Sequence, residues 1–316
     1  MSFDVLIFGC GNIGSRHLQG LLKTNKVRLF VVENNKKSLE TSKERISEFK
    51  NRNLVNFYKN LNFKKKKFDL CIMATTSKNR LLYLKKLINL KIIKNLIIEK
   101  VAFQNLKDFK VAEEILDSKK ILTYVNCPRR SYKIYRNIKK KLNVKKLTKI
   151  AVYGNPWNMA SNMLHFIDLY LFFLRKFGEK LRFKLSKNNK ISKSKRKGFK
   201  ELKGTISVYN SKGCILEFKD KENLKKELII KIYNGKKIIE INESKFYFKI
   251  NKKKYNFRYP YQSYLSKFYP SHLIKDKKLN LTKLSEAFLG HKLLFQILNI
   301  QFKNTFKKNI LSFPIS

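Results

Sequence analysis

The stretch Phe8-Gly9-Cys10-Gly11-Asn12-Ile13-Gly14 has the spacing G-x-G-x-x-G, directly after an apolar run and at the start of a helical pattern. Gly9 permits a tight turn, Gly11 removes a side chain that would keep a pyrophosphate from the backbone, and Gly14 lets the helix pack closely on the strand. The N-terminus of that helix offers free N–H groups to phosphate. In this context the spacing predicts a dinucleotide-binding loop, with a glycine turn that holds no ligand as the alternative. The predicted cofactor contacts in the loop are Gly9, Gly11, Asn12, Ile13 and Gly14.

Short β-rich runs alternate with helical patterns on both sides of this loop through the first third of the chain. Such alternation predicts a parallel sheet with helices on both faces. We therefore expect a Rossmann domain with a doubly wound parallel sheet over residues 1–125. Its six predicted strands are Asp4–Phe8, Val27–Val32, Val55–Tyr58, Asp69–Ala74, Leu96–Ile98 and Ile121–Val125.

The rhythm changes after Cys127, where strand patterns follow one another with turns such as Asn234-Gly235. Consecutive hairpins predict antiparallel pairing. We expect an α+β substrate-binding domain with a largely antiparallel sheet over residues 126–316. Ser186–Lys197, rich in Lys, Ser and Asn, is predicted to be a surface loop without function. A C-terminal helix is predicted over Leu281–Phe302, and packing of this helix against the Rossmann domain is one possible arrangement.

The chain is very basic: 72 Lys and Arg against 22 Asp and Glu give a formal net charge of +50. Charge alone would favour a nucleic acid as partner. However, the lysines are spread over every segment and greatly outnumber the arginines that read bases and phosphates bidentately. We therefore expect no specific nucleic-acid partner, and a basic nucleic-acid-binding protein remains an alternative.

Other global features favour a cytoplasmic protein. No apolar run approaches the roughly 20 residues that a bilayer requires, so no membrane partner is expected. The N-terminus lacks the pattern of a secretory signal. The four cysteines are dispersed without CxxC pairs, which indicates reduced thiols, and no metal site is predicted.

In an open α/β sheet the ligand lies beyond the carboxyl ends of the strands. Glu33 ends the second predicted strand, about 20 residues after the glycines, where its carboxylate can accept hydrogen bonds from the adenosine ribose. Because it would repel a 2′-phosphate, we expect NAD; nearby Lys36 and Lys37 keep NADP open, and an exposed strand-end glutamate without a ligand is the alternative. Further predicted cofactor contacts after the fourth and fifth strands are Ala74, Thr75, Thr76, Glu99 and Lys100.

Four segments together resemble the Gfo/Idh/MocA superfamily of oxidoreductases, which includes glucose-fructose oxidoreductase and inositol dehydrogenase. They are Gly9–His17, Asp69–Thr75, Ile98-Glu99-Lys100 and His165-Phe166-Ile167-Asp168. The resemblance implies hydride transfer between NAD(P) and a secondary alcohol or ketone of a sugar, a cyclitol or a nucleotide-linked sugar. A role in surface-glycan precursor synthesis would fit such a substrate.

The resemblance also implies that Lys100 and His165 are catalytic. Lys100 matches the lysine of the family's Glu-Lys-Pro turn, although Val101 replaces the proline. A lysine beside the positive nicotinamide ring has its charged form disfavoured, which would help it to move a proton. His165 could take the hydroxyl proton, with its tautomer held by Asp168 one turn later. A surface lysine and a core histidine are the structural alternatives.

Ser161 stands where many relatives carry an aspartate, four residues before the histidine. The chain must therefore work through Lys100 and His165, recruit another group, or be a catalytically impaired dinucleotide- or sugar-binding regulator. Asn158 and Asn162 could bind sugar hydroxyls, Trp157 could stack on a sugar ring, and Arg129 and Arg130 could hold a phosphate or carboxylate. Structural roles for these residues remain equally open. The predicted substrate contacts are Arg129, Arg130, Trp157, Asn158, Asn162 and Asp168; association of copies through the C-terminal sheet is a further option.

Overall fold

The computed structural model describes residues 3–24, 27–174, 180–258, 261–307, 310 and 312–315. The strands are β1 Phe3–Phe8, β2 Val27–Val32, β3 Val55–Tyr58, β4 Lys67–Met73, β5 Ile92–Ile98, β6 Leu122–Val125, β7 Leu147–Gly154, β8 Arg182–Leu185, β9 Lys190–Lys193, β10 Lys200–Tyr209, β11 Ile215–Asp220, β12 Ile229–Asn234, β13 Lys237–Asn242, β14 Tyr247–Ile250, β15 Lys253–Asn256 and β16 Thr282–Lys283. The α-helices are α1 Gly14–Leu21, α2 Lys36–Ile46, α3 Arg80–Leu90, α4 Leu106–Ser118, α5 Lys133–Lys141, α6 Met159–Leu174, α7 Gln262–Leu265, α8 Tyr269–Lys275 and α9 Leu284–Phe306.

The chain divides into two compact units. The N-terminal unit contains Met1–Phe103, Lys107–Pro128 and Pro260–Ser285, and the C-terminal unit contains Gln104–Leu106, Arg129–Tyr259 and Glu286–Ser316. The segment Pro260–Ser285 includes β16 and ends at the second residue of α9.

The sheet of the N-terminal unit has the strand order β3-β2-β1-β4-β5-β6, which is the order of the dinucleotide-binding doubly wound fold. These six strands pair in parallel, and β16 adds an antiparallel edge beside β6. Val5, Leu6 and Ile7 on the central strand are all fully buried, as expected for a parallel sheet covered on both faces. The predicted Rossmann sheet is confirmed.

The sheet of the C-terminal unit runs β15-β14-β13-β12-β7-β11-β10-β8, and β9 pairs with the first residues of β10. Its pairs are antiparallel except for β7 with β11, which are parallel. The prediction of a largely antiparallel sheet is confirmed, and this single parallel pair was not foreseen. Helix α6 packs against β10 and β11. Within the described ranges no helix is long and apolar enough to span a bilayer.

The prediction that Ser186–Lys197 is a loop needs correction. Lys190–Lys193 forms strand β9, and the preceding Asn189 is buried, with its Oδ1 accepting from the backbone N–H of Thr205 at 2.7 Å. An edge strand rich in lysine lacks the apolar alternation that marks a strand in a sequence.

Candidate dinucleotide site and candidate proton-transfer residues

Two glycines of the loop after β1 occupy places that exclude any side chain. Gly9 has a positive φ of +86°, and a Cβ there would lie 2.8 Å from the backbone nitrogen of Thr75. A Cβ on Gly14 would lie 2.1 Å from the carbonyl oxygen of Gly9. Gly11 differs, because a Cβ there would meet only the Ser38 Oγ at 3.7 Å. Folding therefore requires Gly9 and Gly14, whereas the absence of a side chain at Gly11 leaves space for a ligand.

A cavity of about 400 Å³ opens beside this loop. The structure brings six of the predicted cofactor residues together around it: Gly9, Gly11, Glu33, Ala74, Thr75 and Thr76. Seven residues with polar side chains that the sequence analysis did not single out also line it, namely Asn34, Asn35, Ser38, Lys59, Asn60, Tyr83 and Lys86. The cavity is therefore formed by the loop and the ends of neighbouring strands, as the doubly wound topology requires.

Glu33 is fixed at the wall of this cavity by two backbone donors. The N–H of Cys10 donates to its Oε2 at 2.7 Å, and the N–H of Asn35 donates to its Oε1 at 2.9 Å. Each carboxylate oxygen keeps capacity for a further hydrogen bond from a ligand hydroxyl. The neighbouring Cys10 thiol is fully buried, and burial raises its pKa to about 12, so it stays protonated at neutral pH.

Asn12 and Ile13 are not among the residues that line the cavity. Ile13 is 43% exposed, and Asn12 is held by Arg45 of α2, which donates to its carbonyl oxygen at 2.9 Å and to its Oδ1 at 3.1 Å. Arg45 also donates to the Oγ of Ser15 at 2.5 Å. The second helix thus anchors the loop, a contact that the local motif could not indicate.

Glu99 and Lys100 follow β5, and their side chains have different surroundings. The Glu99 side chain is buried, where its Oε1 accepts from Asn126 Nδ2 at 2.5 Å and lies 2.9 Å from His17 Nε2. The other ring nitrogen of His17 lies 2.8 Å from the Oγ of Ser266. Burial by itself would raise the pKa of Glu99, but His17 and Asn126 outweigh it and hold that pKa below its usual range. Lys100 is half-buried.

Arg80, at the start of α3, gathers the backbone around Lys100. This guanidinium is 2% exposed, and its Nη1 donates to the carbonyl oxygens of Glu99 at 2.7 Å and Ala102 at 2.8 Å. It also donates to the carbonyl oxygens of Val101 and Thr75. Hydrogen bonds from a charged donor are stronger than neutral ones. The turn that carries Val101 is therefore held in place by a buried arginine, which the sequence analysis did not identify.

In the C-terminal unit, Trp157 belongs to the core. It is 6% exposed, its Nε1 donates to the carbonyl oxygen of Lys219 at 2.9 Å, and its ring contacts those of Phe166 and Phe218. Asn162 donates to the Trp157 carbonyl at 2.7 Å, and Asn158 is exposed with a φ of +57°.

Arg129 and Arg130 are buried and each faces a carboxylate through two parallel hydrogen bonds. Arg129 donates to Glu243 at 3.0 and 2.6 Å, and Arg130 donates to Asp168 at 2.8 and 2.6 Å. Arg130 also donates to Glu286 at 2.6 Å. Both guanidinium groups are therefore engaged with carboxylates of the protein itself. Both oxygens of Asp168 accept from Arg130, so this carboxylate is engaged in an ion pair on α6.

Ser161, in the first turn of α6, faces a carboxylate that comes from β10. The Ser161 Oγ donates to Glu201 Oε1 at 2.6 Å, and the Ser161 N–H donates to Oε2 at 3.2 Å. Glu201 is 7% exposed. His165 is half-buried and lies four residues after Ser161, hence on the same helical face. A carboxylate therefore stands at the start of α6 even though the helix itself carries a serine there.

The chain thus combines a Rossmann sheet and its glycine loop with a second, largely antiparallel unit, and solved dehydrogenases and Gal80p share this fold. Among solved structures, the chain superposes on a super-repressor mutant of Gal80p from Saccharomyces cerevisiae with a TM-score of 0.73 at 12% identity, over 96% of this chain and 97% of that one.

Two dehydrogenase-type structures share the fold as well. The dehydrogenase MviM from Clostridium difficile gives a TM-score of 0.69 at 14% identity, over 95% of this chain and 100% of that one. An oxidoreductase from Agrobacterium radiobacter in complex with NAD+, L-tartaric acid and magnesium gives 0.67 at 12% identity, over 93% and 95%. No protein-family model and no curated protein matches the chain.

Proposed function

We propose that this protein is an NAD(P)-dependent oxidoreductase that acts on a secondary alcohol or the corresponding ketone. The observation that carries the proposal is the cavity beside the glycine loop, with Glu33 fixed at its wall by the N–H groups of Cys10 and Asn35. The fold shared with an oxidoreductase that holds NAD+ supports the same assignment.

The residues of the cavity fit a dinucleotide. The open side of Gly11 admits a pyrophosphate, the start of α1 supplies N–H groups, and Glu33 accepts from ribose hydroxyls. A bound nicotinamide cofactor supplies the hydride acceptor or donor. Glu33 favours NAD, whereas Lys59 and Lys86 in the same cavity give NADP a route to binding.

Proton transfer is assigned to Lys100 and His165, with Glu201 as the recruited carboxylate. Lys100 is presented by a turn that Arg80 and Glu99 hold in place. Glu201 stands at the start of α6, on the face that carries His165, and can accept or return a proton or orient the imidazole. We propose a sugar, a cyclitol or a nucleotide-linked sugar as substrate, with Asn158 as an exposed contact. Such a reaction would suit surface-glycan precursor synthesis.

A second candidate function is a regulator that binds a dinucleotide or a sugar without turnover. Val101 and Ser161 depart from the family pattern, and the same fold occurs in Gal80p, which is described as a transcriptional regulator. This candidate keeps the cofactor site and predicts no hydride transfer.

Cofactor binding is tested by calorimetric titration of NAD and NADP into the wild type and Gly11→Ala. The added methyl group meets only the Ser38 Oγ, so the melting temperature of the variant should equal that of the wild type. Its Kd for NAD should nevertheless rise at least about tenfold, because the methyl group occupies the space of the pyrophosphate. No heat from either cofactor with folded wild type would overturn both the oxidoreductase and the dinucleotide-binding regulator.

Turnover separates the two candidates. Single-turnover reduction of bound NAD is measured across a panel of sugars, cyclitols and nucleotide sugars. For an enzyme, Lys100→Met, His165→Asn and Glu201→Gln should each slow the reduction of bound NAD by roughly 10²–10⁴. His165→Asn and Glu201→Gln should leave the Kd for NAD unchanged. NAD binding without turnover on any member of the panel would favour the regulator.

A further inference from the structure

A second cavity, of about 490 Å³, lies in the C-terminal unit between α5 and the outer strands β13 and β14. None of the residues assigned to the cofactor or to proton transfer lines it. Its floor is apolar, formed by Ile134, Ile138, Leu142, Ile239, Phe248, Ile250 and Phe257.

The floor follows from the periodicities of the elements that form it. Ile134 and Ile138 lie one turn apart on α5, Leu142 follows its last residue, and all three are buried. Ile239 pairs with Ile250 across two antiparallel strands, and both are half-exposed. The half-exposed side chains leave an apolar surface inside a concave site, which is where ligands gain most from leaving water.

The end of α5 is fixed against the turn between β12 and β13. Asn234 Nδ2 donates to the carbonyl oxygen of Asn143 at 2.6 Å, and the N–H of Gly235 donates to the carbonyl oxygen of Lys146 at 2.9 Å. Asn234 itself lines the cavity. These two hydrogen bonds hold the chain after α5 beside the turn that contributes to the opposite wall.

The rim of the cavity carries only cations among its charged residues: Lys133, Lys141, Lys237 and Arg258. Lys133 and Lys141 are eight residues apart on α5, which places them roughly 12 Å apart along the helix axis. In the part of the chain that the structure describes, none of these four forms an ion pair. The two nearby glutamates of the β13 region are engaged elsewhere, Glu240 with Lys231 at 3.2 Å and Glu243 with Arg129 at 2.6 Å.

Cations are common over the whole chain, so charge alone would not define a site. The distinguishing feature is that these four surround an apolar concave floor. Lys140 offers the comparison, because it is exposed on the same helix but does not line the cavity. An apolar floor beside a cationic rim complements an aliphatic chain that ends in a single anionic group.

We propose that this cavity binds an aliphatic carboxylate, with its hydrocarbon chain on the isoleucine and phenylalanine floor and its carboxylate beside the rim lysines. The site is separate from the dinucleotide cavity, and its occupation does not depend on the proposed reaction.

The test is calorimetry on the full-length protein with three probes: decanoate, 1-decanol and acetate. Decanoate should bind with one site per chain, decanol should bind at least tenfold more weakly, and acetate should give no saturable heat. The double variant Lys141→Ser/Lys237→Ser should raise the Kd for decanoate at least tenfold, and Phe248→Ala should weaken both decanoate and decanol. Lys140→Ser is the matched control and should bind decanoate as the wild type does.

Thermal unfolding and the Kd for NAD show whether each variant has kept its fold. Acetate binding as tight as that of decanoate would overturn the proposal in favour of unselective anion binding. If the Kd for decanoate is the same in the wild type, in Lys141→Ser/Lys237→Ser and in Phe248→Ala, decanoate does not bind in this cavity and the proposal is overturned. Equal sedimentation of wild type and double variant with anionic phosphatidylglycerol vesicles, without binding of free decanoate, would overturn it in favour of a general attraction to lipid surfaces.

Discussion

Two buried polar side chains of the N-terminal unit, those of Arg80 and Glu99, stabilise the backbone around Lys100. Arg80 donates to carbonyls at the ends of β4 and β5, and Glu99 joins His17 to Asn126. Neither side chain lines the dinucleotide cavity. Because a buried charge without partners is costly, these contacts fix one arrangement of the Lys100 turn.

The pKa of Glu99 implies a pH-dependent stability. Burial alone would raise this pKa, but His17 and Asn126 lower it below that of the unfolded chain. The stabilisation is therefore fully present above the unfolded pKa of about 4.3 and is lost as pH falls through the lower folded pKa. Hydrogen exchange of the β5 amides should show Glu99→Gln destabilising the N-terminal unit at pH 7, with a smaller difference as the pH drops below about 4.

Glu113 on α4 of the same unit is the control of opposite sign, because burial and the nearby Asp117 raise its pKa. Glu113→Gln should leave stability at pH 7 unchanged or slightly higher, with the difference vanishing in acid. A Glu99→Gln difference that stays constant from pH 7 to pH 3 would contradict the assignment.

Residues whose partners lie nearby in the sequence could be predicted, and residues whose partners lie far away in the sequence could not. Gly9, Gly11 and Glu33 lie within one βαβ unit, where spacing along the chain determines spacing in the structure. Glu201 comes 40 residues after Ser161 and reaches it only because β10 lies beside α6. Arg80 is a basic residue at the start of a helix, and the sequence around it does not indicate that its side chain binds backbone carbonyls.

At the scale of elements, Arg130 joins three pieces of the C-terminal unit. It lies in the short 3₁₀ turn Pro128–Ser131 and binds Asp168 of α6 and Glu286 of α9. The Arg130 and Asp168 side chains are 8% and 5% exposed, whereas that of Glu286 is 27% exposed. The pair with Asp168 is therefore the more strongly desolvated of the two contacts.

Removing the charge of Asp168 should destabilise the C-terminal unit strongly. Breaking a buried pair from one side costs roughly 3–5 kcal/mol, and because Asp168→Asn leaves Arg130 paired with the more exposed Glu286, we expect a loss near the lower end of that range. The single tryptophan, Trp157, lies in the core of this unit, so its fluorescence during urea unfolding measures the loss for Asp168→Asn. Glu222→Gln breaks the exposed pair with Lys203 and should cost less than about 1 kcal/mol. Equal losses in the two variants would contradict this reading.

Elements with a clear hydrophobic period were predictable, and elements fixed by their neighbours were not. The six parallel strands of the first sheet are largely apolar, and five of them were predicted within two residues of their observed bounds. The prediction Leu96–Ile98 covered only the end of β5, Ile92–Ile98, because Lys94 and Asn95 interrupt its apolar pattern. Strand β9 is polar and exists because β10 offers an edge, while β16 has only two residues. Strands this polar or this short have too few apolar residues to be recognised from the sequence pattern.

At the scale of the whole molecule, the net charge of +50 should govern behaviour with polyanions. We expect binding to duplex DNA at low salt, with affinity that falls by about 10³ or more between 50 and 200 mM salt if six or more phosphates are contacted. Fluorescence anisotropy with two unrelated duplexes of equal length should give the same Kd for both. Selective, saturable binding at physiological salt would instead support a dedicated nucleic-acid function.

The return of Pro260–Ser285 to the N-terminal unit sets an order for biosynthesis. Strand β6 leaves the ribosome long before β16, its antiparallel neighbour, and Ser266, the partner of His17, is also made late. At 5–20 residues per second the interval from residue 128 to residue 285 is roughly 8–30 s. During that time the nascent Rossmann sheet has a bare edge, so the domain made first is completed among the last.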